Sequence, residues 1–247
     1  MTARGQRARL FMLLAIVVTV LLYVVPYGEL IGYPLLLLST LAHEMGHGIA
    51  AILVGAEFES LKMYADASGV AMLRGTSGRL ANGVVSAGGL VGPAVAAAVL
   101  FVVSARQKLA RFALLGLAVF LVGACIFVVR NPFGWVFVGL VAAIALAIAV
   151  KASAQVAQAV SVFVGAQLAL AVFSRGDYLF TDVAQTANGP QPSDVAHMAD
   201  ALFLPYWFWG GVCGLFSVLV LLGGMWMFWR ATGPTGPTAR ERLRLDT

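Results

Sequence analysis

The chain has 247 residues, of which 61% are hydrophobic and 11% charged. That balance excludes an ordinary soluble globular domain. The net charge of +5 fits arginines set beside anionic lipid rather than a nucleic-acid surface, since no basic stripe with interleaved aromatics occurs.

Seven apolar runs approach or exceed the roughly 20 residues that a bilayer crossing takes. They lie at roughly 10–25, 34–54, 83–104, 109–129, 133–150, 154–173 and 206–229. The expected fold is an all-α polytopic membrane protein with about seven transmembrane helices and a short β-hairpin after the second span. One domain is expected over residues 1–230, with a flexible basic tail over 231–247.

The first run follows Arg4, Arg7 and Arg9, as a secretory signal would. No small-residue cleavage site comes after it, only Pro26-Tyr27-Gly28-Glu29, so it reads as a retained span. Seven crossings would put the two chain ends on opposite sides. The basic residues then divide evenly, and only the N-terminal cluster favours a cytoplasmic start. One miscounted span, expected among the closely spaced fourth to sixth, would bring both basic tails to the inside.

The second run contains His43-Glu44-Met45-Gly46-His47. Histidines four apart project from one helical face, and a carboxylate stands beside the first. An ionisable group at the centre of a span costs at least about 2.5 kcal/mol unless it is paired. A zinc ion on His43 and His47, with Glu44 beside the zinc's water, removes that cost. Histidines and a neutral glutamic acid satisfied by interhelical hydrogen bonds are the plainer alternative. Gly46, Gly48 and Ala50 keep the neighbouring surface small.

After this span the pattern changes. Phe58–Tyr64 and Val70–Leu73 flank the turn residues Ala65–Gly69, which predicts a β-hairpin or two short strands. The third span opens with Gly83, Ser86, Gly88, Gly89 and Gly92, residues that let helices approach closely. Gly92-Pro93 could break that helix beside a cavity. Arg130–Trp135 reads as an interfacial turn. Cys125 and Cys213 are isolated in apolar runs and read as small buried hydrophobes.

Catalytic zinc takes three protein ligands and keeps one position open. The third must come from elsewhere in the chain. The polar stretch from Ser174 to Ala201 holds Asp177, Asp182, Asp194, His197 and Asp200. Asp194 is the first candidate, although Ser193 or Asp194 could simply cap a helix that starts there. Asp177 and Asp182 are the alternatives. His197, three residues after Asp194, shares its helical face and could be a ligand or an outer partner.

The chemistry that follows is hydrolysis of a peptide bond, with Glu44 as the base that takes a proton from water and passes it to the leaving nitrogen. A membrane-spanning substrate must unwind first. A strand from the 58–73 region could hold it extended by edge pairing, or the hairpin could only cover the site.

These residues resemble the site-2 protease family of intramembrane zinc metallopeptidases, in particular its compact bacterial branch. The motif His43–His47 in an early span, the strands around Gly69, the segment Ser86–Pro93, Arg130–Trp135, and Ser193-Asp194 ahead of Pro205 and Trp207 carry the likeness. It implies Zn2+, His43 and His47 as ligands, Glu44 as catalyst, membrane-embedded protein substrates, and a multi-pass protein of a bacterial cell membrane. Better-known members place the ligand aspartate in an Asn-Pro…Asp-Gly motif, whereas Asn131-Pro132-Phe133-Gly134 has no acid. The ligand is then displaced to Asp194 or a neighbour, or the third position is weak. Two other functions share the pattern, a metal-binding or transport protein and an inactive protease-like scaffold.

Overall fold

The computed structural model describes residues 3–174, 177–186 and 189–233. The described part of the expected C-terminal tail therefore stops at Gly233. Seven helices are long and apolar enough to cross a membrane: α1 (Ala3–Val24), α2 (Gly28–Leu53), α3 (Arg79–Ser104), α4 (Gln107–Phe127), α5 (Pro132–Lys151), α6 (Ala154–Ser174) and α9 (Tyr206–Ala231). The strands β1 (Glu57–Met63) and β2 (Gly69–Arg74) form the expected hairpin. Between α6 and α9 lie the short α7 (Asp177–Phe180), a second hairpin of β3 (Val183–Thr186) and β4 (Gly189–Pro192), and α8 (Asp194–Leu202). That second hairpin is not foreseen from the sequence. Large apolar side chains such as Phe127, Val136, Val150 and Leu215 stay exposed, as they should where lipid rather than water is the solvent.

Helix α3 is the centre of the bundle. It packs antiparallel to α2 through glycines, and a Cβ on Gly46 would collide with the carbonyl of Gly88. The backbones of the two helices therefore touch, which is the membrane use of small residues. On its other sides α3 meets α6 and α9, burying Ala94, Ala97 and Phe101 against Val162, Ala166, Leu221 and Phe228. The expected break at Gly92-Pro93 does not occur. Helix α3 runs through Pro93, and the bare face of Gly92 accommodates Ala42 of α2. A cavity does open beside Pro93.

The hairpin dips along α2 and α5. Leu61 exchanges backbone hydrogen bonds with the segment after α4, donating to Val128 at 2.7 Å and accepting from Arg130 at 3.0 Å. Asn131 continues this ladder with its side chain, accepting from the Met63 N–H at 3.2 Å and donating to the Met63 carbonyl at 2.6 Å. The amide is therefore committed to the hairpin. It is not the side-chain cap of α5. Thus β1 is an inner strand and β2 the outer one.

One expectation about topology is corrected. Seven complete crossings would separate the chain ends, but Arg9 of α1 donates to the Thr232 hydroxyl at 3.1 Å and to the Trp229 carbonyl at 2.8 Å. The start of α1 and the end of α9 thus share one end of the bundle. The last turns of α1 pack at Leu22 against Gly28, where α2 begins, and α2 runs from there towards His43. Both ends of α1 therefore lie on the Thr232 side of the His43 level. Single cysteines at Gln6 and Ala231, in a chain with Cys125 and Cys213 replaced, should be labelled by an impermeant thiol reagent from the same membrane face. Labelling from opposite faces would refute this arrangement.

Candidate metal centre

Helix α2 carries His43, Glu44 and His47 into the middle of the bundle. Helix α8 brings Asp194 to them from the far end of the chain. Ser193 caps α8, accepting from the Ala196 N–H at 3.2 Å while its hydroxyl donates to the Thr181 carbonyl at 2.5 Å. The cap fixes where the helix starts. Val195, Met198 and Ala201 are buried on the inward side of it, and Asp194, one turn before Met198, shares that inward face, with the exposed His197 at its border. Of the two roles considered for this pair, Ser193 takes the cap and leaves Asp194 free to reach the histidines.

Among the described residues, His43, His47 and Asp194 form a group of metal-binding type. His43 Nε2 lies 3.0 Å from Asp194 Oδ2 and His47 Nε2 lies 3.3 Å from Asp194 Oδ1. The two Nε2 atoms are 3.1 Å apart. A tetrahedral ion with bonds of about 2.0–2.1 Å holds its ligand atoms about 3.3 Å from one another. The triangle formed by these three side chains has edges of that length.

The protonation of His47 strengthens the fit. Its Nδ1 is 2.8 Å from the carbonyl oxygen of Val85. A carbonyl only accepts, so Nδ1 carries the proton and a neutral ring turns the Nε2 lone pair towards Asp194 and His43. A lone pair facing a carboxylate repels it unless positive charge sits between them, as a further proton or as a metal ion. Holding one ring nitrogen on a backbone carbonyl is also how metal-ligating histidines are oriented. Gly89 makes room for this ring, since a Cβ there would overlap the imidazole. Two imidazoles and a carboxylate, with an open side, fit a catalytic zinc.

Glu44 is buried beside this triangle without belonging to it. Its Oε2 accepts the backbone N–H of Ala71 at 2.7 Å. Gly69 lets β2 come this close, because a side chain there would strike Glu44 and Thr40. Ala71 pairs with Leu61, and Leu61 turns its own backbone groups away from β2. The outward-facing residues of β2 are then Gly69, Ala71 and Leu73. All three line a cavity of about 590 Å³ that also borders His43, Glu44 and Asp194.

The other proposed third ligands are elsewhere. Asp182 is exposed and borders a different cavity. His197 lines the main cavity but is not part of the triangle. The side chain of Asp177 lies outside the described set. Sequence reasoning missed two contributors, the Val85 carbonyl and the Ala71 N–H, because backbone groups leave no signature in residue type.

A seven-helix apolar bundle around a buried histidine, glutamate and aspartate cluster defines a multi-pass membrane protein of the site-2 protease type. The family model described as Peptidase M50B-like matches residues 13–224, and the chain belongs to that family. Neither the curated proteins nor the solved structures returned a match.

Proposed function

We propose that this protein is an intramembrane zinc peptidase that cuts membrane-embedded protein substrates, with His43, His47 and Asp194 holding the metal and Glu44 as the base. The convergence of two Nε2 atoms and a carboxylate at 3.0–3.3 Å carries the reading. Bound zinc would supply Lewis acidity and a water acidified to a pKa of about 7. Each side chain then has a separate task. The Ala71 N–H holds Glu44 Oε2 and leaves Oε1 to take the proton from the attacking water and hand it to the leaving nitrogen. The outer edge of β2 offers backbone groups at Gly69 and Leu73 to an unwound substrate segment, which pairs beside Glu44 as an added strand.

The test uses purified full-length protein in detergent. It should contain about one zinc per chain and cleave a single-span protein substrate. Phenanthroline should remove both metal and cleavage, and added zinc should restore both. Full cleavage by metal-free protein would refute the reading. Metal uptake by vesicles containing the protein, without any cleavage, would favour transport.

A further inference from the structure

The main cavity holds one ionisable group that the peptidase reading leaves without a task. Among the described residues, the ionisable side chains lining it are His43, Glu44, His47, Asp194 and His197. The first four form the metal triangle and its neighbouring base. His197 sits about one turn beyond Asp194 on α8, is exposed, and lines the cavity. A second cavity of about 530 Å³ shares Leu73, Val85, Ser86 and His197 with the first. His197 therefore stands where the two spaces join. A peptide paired along the Leu73 end of β2 passes it.

We infer that His197 is a catalytic residue that donates a hydrogen bond to the carbonyl oxygen of the bond being cut. Peptide hydrolysis builds negative charge on that oxygen, and donors placed for that charge are among the largest contributions to such catalysis. Most hydroxyls around the cavity are already committed. Thr40 donates to the Ala67 carbonyl at 2.8 Å, Ser68 to Asp66 at 2.6 Å and Ser193 to the Thr181 carbonyl at 2.5 Å. The Ser39 and Ser86 hydroxyls remain, with the Gln191 amide, but these are neutral and none can become a charged donor. An imidazole can donate in either protonation state and more strongly when charged. The short helix fixes its direction, since α8 is anchored by the Ser193 cap and by Val195 and Met198 packed on Leu90 and Cys213.

This inference rests on the peptidase reading, and its test separates the two. Zinc-loaded wild type, His197→Ala and His197→Gln are compared in detergent by three measurements. The first is zinc content. The second is cleavage of a quenched apolar peptide. The third is the affinity for two probes, a phosphinic Leu-Leu pseudopeptide, whose tetrahedral oxygen mimics the charged carbonyl, and acetohydroxamate, which only chelates the metal. His197→Ala should keep its zinc, lose about 10²–10³-fold in kcat with KM unchanged, and lose phosphinate affinity while keeping hydroxamate affinity. His197→Gln, which retains an N–H donor, should recover part of the loss. Unchanged phosphinate affinity would overturn the role. Loss of zinc from His197→Ala would also overturn it, by making His197 a ligand. If wild type binds zinc and both probes but cuts nothing, the peptidase reading fails. The phosphinate comparison still decides whether His197 binds the charged oxygen.

Discussion

Glu44→Gln should abolish detectable cleavage and leave both the fold and the metal in place. General acid–base groups contribute about 10²–10⁴-fold, and Glu44 is asked to move the proton twice, so the loss belongs at the upper end of that range. Glutamine matches the shape of glutamate, and its carbonyl oxygen can still accept the Ala71 N–H that now meets Oε2 at 2.7 Å. The hairpin therefore keeps its anchor, and stability should move by no more than about 1 kcal/mol. Zinc content should stay at the wild-type level, because Glu44 is outside the His43, His47 and Asp194 triangle. The measurements are single-turnover cleavage and metal analysis on one preparation. Loss of metal together with cleavage would make Glu44 a ligand. Retained cleavage would remove it as the base.

The features that set this experiment up were legible to different depths. Long apolar runs announce membrane helices whatever they pack against, so five of the seven spans are readable to within about four residues, while α1 and α2 begin well before their apolar runs, at Ala3 and Gly28. The first hairpin was also readable, from turn residues between short apolar runs. The second was not. Val183–Thr186 and Gly189–Pro192 are short and polar, and Pro190 and Pro192 lack the donor a strand needs. Apolarity does not say whether a helix traverses the membrane, so the return of α1 towards Thr232 had no sequence signal. Asn131 shows the limit from another side. Its residue type fits a turn, a cap or a substrate contact, and only the fold shows the amide clamped on Met63. His43 and His47 were readable because helical spacing alone puts them together. Asp194 was one of several candidates because its approach depends on how α8 docks on α3. Part of that docking was written in the chain. Ser193 is a favoured cap, and Asp194 stands one turn before Met198 and two before Ala201, so the buried stripe of α8 carries it inward.

Asp194→Asn should separate metal binding from folding. Asparagine keeps the size of the side chain and leaves the Ser193 cap intact, so α8 loses only the favourable contact of an acid with its N-terminus, about 0.3–1 kcal/mol. The effect on the metal is far larger. Structural zinc binds proteins with roughly 10–16 kcal/mol shared over four ligands. Losing one charged ligand of three therefore weakens zinc by at least about 10²-fold. Purified Asp194→Asn should contain little zinc, show the helical signal and melting profile of the metal-free wild type, and cleave nothing. Asp182→Asn should keep its metal, because that carboxylate borders a separate cavity. The opposite pattern, with zinc lost from Asp182→Asn and kept in Asp194→Asn, would show that α8 only lies against the histidines. The contacts of 3.0 and 3.3 Å between Asp194 and the two rings would then be an ion pair, and the third ligand would have to come from another part of the chain.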